Sequence, residues 1–147
     1  MTLRKYSQPT DKRARLIAYE KAPDVETVAR RLVDVLTLTH IDINRVFFYR
    51  STGSKSRLVQ ARIHGMGRIW YDALAIQPRY IIEVISEEYD KLDDSEKDKV
   101  VLHELMHIPS KFSGGFVPHK GKINRRSVDR MYAAYLAKSG TFSKEQF

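Results

Sequence analysis

Val100-Val101-Leu102-His103-Glu104-Leu105-Met106-His107-Ile108-Pro109 is the stretch on which the reading of this chain turns. Residues four apart share one face of an α-helix, so His103 and His107 can reach a single ion, with Glu104 beside them. Zinc accepts neutral imidazole nitrogens, and a catalytic zinc keeps three protein ligands and an open position for water. In that arrangement Glu104 is the general base that takes a proton from the water and carries it to a leaving amine. With only 5 histidines in 147 residues, chance supplies this spacing roughly 0.01 times per chain. The flanks support a helix. Ser95 is an N-cap candidate with Asp98 three residues on, and the acids of residues 93–98 suit the positive end of the helix dipole. Val100, Val101, Leu102, Leu105, Met106 and Ile108 make the helix largely buried, and Pro109 stops it. Unpartnered polar groups on such a helix cost about 1–3 kcal/mol each, and a metal ion gives the imidazoles a partner.

A third ligand must come from elsewhere. After Pro109 the chain runs Ser110-Lys111-Phe112-Ser113-Gly114-Gly115-Phe116-Val117-Pro118-His119. The glycine pair permits a tight reversal that brings His119 back over the helix. Asp129 is the rival, because a carboxylate on the next helix can also complete a zinc site; with His119 as ligand, Asp129 instead orients a ligand imidazole.

The elements around this motif are an α+β set. Asp24-Val25-Glu26-Thr27 opens a helix carrying Val25, Val28, Ala29, Leu32, Val33, Val35 and Leu36, ending near Thr39-His40. Val46–Arg50 reads as a strand, 51–56 as a turn or loop, and Leu58–His64 as a second strand broken by Gly65-Met66-Gly67. Arg68–Ile76 suits strand or helix equally, and Tyr80–Ile85 is a third strand. A closing helix from Asn124 to Lys138 turns Val128, Met131, Tyr132, Tyr135 and Leu136 to the core. The order predicts one domain from residue 16 to 147, with a small sheet of about three strands and both late helices on one of its faces. A basic segment, residues 1–15, precedes it. Leu58–His64 is the strand expected at the sheet edge beside the metal, where an extended peptide can add by main-chain hydrogen bonds. Tyr132 is a candidate to stabilise an oxyanion.

Tyr80-Ile81-Ile82-Glu83-Val84-Ile85, Tyr89-Asp90-Lys91-Leu92, His103 to Pro109, Phe112-Ser113-Gly114-Gly115 and Pro118-His119 together resemble a family of small metallopeptidases found mainly in archaea and their viruses. The likeness covers roughly residues 43–136 and is similar in layout to SprT-like and other minimal zincins. The resemblance implies a zincin-like fold, His103, His107 and His119 as Zn2+ ligands, and Glu104 as the catalytic acid/base. It also implies a peptide or protein substrate. The metzincin pattern, with a glycine and third histidine much sooner after His107, is not met.

Composition sets the remaining limits. The 147 residues contain no cysteine, so no disulfide framework exists, and 42% apolar with 30% charged is ordinary globular usage. With no apolar run of membrane-spanning length and no signal segment, the expectation is a cytoplasmic protein without membrane contact, a monomer or weak oligomer. The net charge of +8 is unevenly placed. Residues 83–98 are strongly acidic, whereas Lys111, Lys120, Lys122, Arg125, Arg126 and Arg130 surround a single acid, Asp129. That basic patch points to non-specific DNA or RNA contact, as in SprT-like proteases, to acidic protein substrates, or simply to a solvated surface. A different class of function is a nucleic-acid-binding module in which the zinc is structural or the site inactive; a fourth protein ligand would mark it. Hydrolysis of a non-protein amide is a third reading. His40 and His64 are expected to take no part.

Overall fold

The computed structural model describes the backbone of residues 17–144 and side chains as far as residue 140, so the basic segment 1–15 lies outside the described residues. Ala18–Lys21 forms β1 and Pro23–Val35 forms α1. A 3-10 turn, Ile43–Arg45, leads into β2, Val46–Thr52. Then come β3, Ala61–Gly65; α2, Arg68–Leu74; β4, Tyr80–Ile85; and a single helical turn α3, Ser86–Tyr89. Asp94–Met106 is α4 and Arg125–Lys144 is α5.

The strands make one mixed sheet in the order β1-β2-β4-β3. β2 and β4 run parallel, and each outer strand pairs antiparallel with its neighbour. The α+β class is as expected, with four strands where about three were read. The extra strand, β1, is exposed along its whole length and carries no apolar alternation that could have announced it. Successive side chains of a strand point to opposite faces. Val46 and Phe48 of β2 and Tyr80, Ile82 and Val84 of β4 therefore enter one core, shared with Val25 and Leu32 of α1, Val101 and Leu105 of α4, and Val128, Tyr132 and Tyr135 of α5. On the other face Phe47 and Ile81 are exposed.

That second face holds a buried carboxylate. Glu83 accepts a 2.6 Å hydrogen bond from Ser51 Oγ on β2, and its other oxygen lies 2.7 Å from His64 Nε2 on β3. His64 is thus committed to the sheet.

Four local readings need correction. The N-cap of α4 is Asp93, not Ser95: Asp93 accepts from the Glu96 amide at 2.8 Å, and Glu96 reaches back to the Asp93 amide. Ser95 has the right chemistry but sits one position inside the first turn. The strand read as Leu58–His64 begins only at Ala61, and Leu58 is 95% exposed. The ambiguous stretch from Arg68 is helical, closed by Ala75 in the left-handed conformation, with Tyr71 as its buried residue. On α5 the buried face is Val128, Tyr132 and Tyr135, which leaves Leu136 53% exposed rather than in the core.

Candidate metal centre

The capping box starts α4 at Asp94, and Val101, Leu102 and Leu105 seat it against the core, so the opposite side of its last turns faces a cleft of about 1060 Å³. His103 and His107 project there, one turn apart. His119 arrives from the loop that follows Pro109, and the three imidazoles form a group able to hold one metal ion. Their Nε2 atoms stand 3.1 Å (His103 to His119), 3.1 Å (His107 to His119) and 3.3 Å (His103 to His107) apart. Two nitrogens bound tetrahedrally to zinc at roughly 2.0–2.1 Å lie about 3.3 Å from each other. The triangle therefore has the size that three imidazoles on one zinc require.

Protonation fits as well. Burial, then the neighbouring imidazoles, push His103 down to about 4, so it is neutral and able to donate a lone pair at neutral pH. His107 Nδ1 lies 2.7 Å from the Val117 carbonyl, an acceptor only, so Nδ1 carries the hydrogen and Nε2 is left free toward the cluster. The Val117 amide donates back to the His107 carbonyl at 2.8 Å, tying the ligand loop to the end of α4.

Glu104 is buried beside the histidines and lines the same cleft. Desolvation raises its carboxyl to about 7, close to the value that best serves proton transfer at neutral pH; a cation bound nearby lowers it.

The ligand loop is held by contacts that spacing alone does not reveal. The Tyr80 hydroxyl accepts from the Gly114 amide and donates to the Gly115 carbonyl, both at 2.8 Å. Gly114 has φ of 90°, and a Cβ there would stand 2.4 Å from Tyr71 Cε2, so no larger residue fits between the turn and α2. A Cβ on Gly65 at the end of β3 would meet the Gly114 carbonyl at 2.8 Å, so this glycine lets loop and strand touch. Phe112 meets Tyr80 edge-on with ring centroids 5.0 Å apart. These residues lie far from the motif in sequence, and nothing in their own spacing marks them.

The structure thus brings His103, His107, His119 and Glu104 together. It does not bring Asp129 into the group: its carboxylate pairs with Lys99 Nζ at 3.1 Å on the cleft wall. Tyr132 is buried with its hydroxyl on Asp98 at 3.0 Å, outside the cleft lining, so it is placed for packing rather than for an oxyanion. Of the basic residues, Arg125 lines the cleft, and Lys111, Lys120, Lys122, Arg126 and Arg130 are exposed nearby in the chain. β3 pairs only with β4 among the described residues, and Ala61, Arg62 and Ile63 line the cleft, so a free strand edge runs along the histidine cluster. No described helix is long and apolar enough to cross a membrane.

An α+β domain with three imidazoles placed around one ion position, and a buried glutamate beside them, defines a metallohydrolase-like site. The family model described as "Putative phage metallopeptidase" matches residues 17–135, and the chain belongs to that family. The match reaches back through α1 and β1, which the sequence resemblance from about residue 43 had left out. No curated protein and no solved structure matches the chain.

Proposed function

We propose that this protein is a zinc-dependent peptidase that hydrolyses peptide bonds with Glu104 as proton carrier. The observation that carries the reading is the Nε2 triangle with edges of 3.1–3.3 Å, set beside a glutamate whose carboxyl burial raises to about 7. His103, His107 and His119 hold the ion. Bound zinc supplies Lewis acidity, polarising a carbonyl and bringing the pKa of water in its open position to about 7. Glu104 takes a proton from the attacking water and delivers it to the departing amine. β3 holds an extended peptide by main-chain hydrogen bonds along its free edge, which keeps the scissile carbonyl near the histidines. Among the described residues the metal-capable group has three members, and this favours catalysis over a structural zinc, which four protein ligands normally close.

The test is hydrolysis of a defined peptide mixture, followed by mass spectrometry, with zinc-loaded wild type and Glu104→Gln. Expected is cleavage by the wild type alone, with one zinc bound to each protein. Equal turnover by both, or a fourth protein ligand seen by zinc-edge X-ray absorption, refutes the assignment.

A further inference from the structure

The charges around the cleft are sorted by wall. Six charged residues line it: Arg62 on β3, Glu96, Lys99 and Glu104 on α4, and Arg125 and Asp129 on α5. Lys99 and Asp129 neutralise each other at 3.1 Å. Glu96 is engaged in the capping box at the start of α4, and Glu104 sits beside the histidines. That leaves Arg62 and Arg125, one on each side of α4, and neither has an ion-pair partner among the described residues. Both walls continue in the same sign. Residues 53–65, the loop before β3 and β3 itself, contain Lys55, Arg57 and Arg62 and no acid. On the other side Lys120, Lys122, Arg125 and Arg126 follow His119, again with no acid before Asp129. All seven are exposed. The start of α5 departs from the pattern of its sister helices: α1 and α4 carry acids in their first turns, while α5 carries none and opens with two arginines. Cations at the positive end of a helix work against its dipole, a local choice that a bound anion offsets.

We propose that the cleft selects acidic peptide segments, with Asp or Glu side chains flanking the scissile bond and held by Arg62 on one wall and Arg125 on the other. This rests on the peptidase reading for cleavage, though not for binding. Fields of one sign on both sides of a cleft concentrate and orient a chain of opposite sign. A peptide is favoured over a nucleic acid because the lining between the cations is mostly aliphatic, with Leu58, Val59, Ile63 and Val100. Single-stranded nucleic acid needs aromatic platforms for its bases, and Phe116 is the single phenylalanine, tyrosine or tryptophan on the cleft lining.

The experiment uses zinc-loaded full-length protein carrying Glu104→Gln, so that binding is read without turnover. Two fluorescent ten-residue peptides share an apolar centre and differ in flanks of Glu or of Lys. Anisotropy titrations are run at about 50 and 300 mM salt, where screening lengths differ more than twofold. The Glu peptide is expected to bind at least about tenfold tighter at low salt, the gap shrinking at high salt. In Arg62→Glu/Arg125→Glu, folded by circular dichroism, the preference is expected to invert in favour of the Lys peptide. Equal binding of both peptides, or a preference that survives the charge reversal, overturns the proposal. So does a single-stranded oligodeoxynucleotide that binds tighter than the Glu peptide and displaces it. Parallel cleavage assays with wild type separate the two claims: selective binding without any cleavage sinks the peptidase reading alone, and cleavage indifferent to the flanks sinks the acidic preference alone.

Discussion

Removing one hydroxyl should loosen the metal site from 23 residues' distance in sequence. Tyr80 is fully buried, and its hydroxyl makes two 2.8 Å hydrogen bonds to the turn that carries the chain toward His119. Tyr80→Phe keeps the ring, its edge-on packing with Phe112 and its volume, so the loss is confined to those bonds. The two partners differ in their access to water. Gly114 is buried, so its orphaned amide costs about 1–3 kcal/mol; Gly115 is exposed, so its carbonyl can turn to water at about 0.5–1 kcal/mol. The expected destabilisation is about 2–3 kcal/mol. Urea denaturation of the metal-free protein reads it as a midpoint lowered by about 1 M, given slopes of roughly 1–3 kcal/mol/M. Zinc titration should show a second effect, since the loop must be ordered before His119 can bind. An affinity loss of about tenfold corresponds to roughly 1.4 kcal/mol of ordering. A Phe variant within about 0.5 kcal/mol of wild type, with unchanged zinc affinity, would show that the turn is held by something other than Tyr80.

Gly114→Ala places a methyl 2.4 Å from Tyr71 at φ of 90°; it should cost about 1–3 kcal/mol, and a thermal midpoint equal to wild type would contradict the reading. Asp93→Ala removes the carboxylate that caps α4 and should cost about 1 kcal/mol by chemical denaturation, whereas Ser95→Ala, outside the cap, should cost little. Burial raises the Asp98 carboxyl above 3.8. The folded protein therefore binds that proton more tightly than the unfolded chain. The stability this contributes is fully present below 3.8 and is lost as pH rises through the folded value. Asp98→Asn should flatten stability against pH across that window, measured by denaturation in the acid range, and an unchanged slope would count against it. Adding zinc at about one hundred times its dissociation constant should raise stability by about 2.7 kcal/mol, an effect that His119→Ala should sharply reduce at the same zinc concentration; a full shift in the variant would remove His119 from the ligand set.

The histidine motif was legible because helical periodicity turns a four-residue spacing into a shared face without help from the rest of the fold. His119 could be singled out because a glycine pair and a proline stop lie between it and the helix. What holds that loop was not legible: Tyr80, Tyr71 and Gly65 act across the sheet and α2, and only tertiary structure puts them against Gly114. β1 escaped because Ala18-Tyr19-Glu20-Lys21 is exposed on both faces and is a strand by virtue of its pairing with β2. The α4 cap was misplaced because Asp93 and Ser95 have equivalent capping chemistry, and only the reciprocal bond with Glu96 distinguishes them. Leu136 was assigned inward by period, but α5 is covered along the narrower row of Val128, Tyr132 and Tyr135.

Glu83 has a bearing on which sheet the chain can form. Tyr49 and Arg62 stand directly opposite it on the two neighbouring strands, and its actual partners, Ser51 and His64, are the diagonal neighbours on the same face. β2 and β4 are parallel, so no tight hairpin fixes their alignment. Sliding either neighbour by one residue turns its partner side chain to the opposite face and strands a buried carboxylate. Sliding by two restores the face but replaces Ser51 with Tyr49 or Gly53, or His64 with Arg62 or Met66. The carboxylate thus works as a combination lock with two tumblers. Only the alignment that satisfies both places the β3 edge where it runs past the histidines.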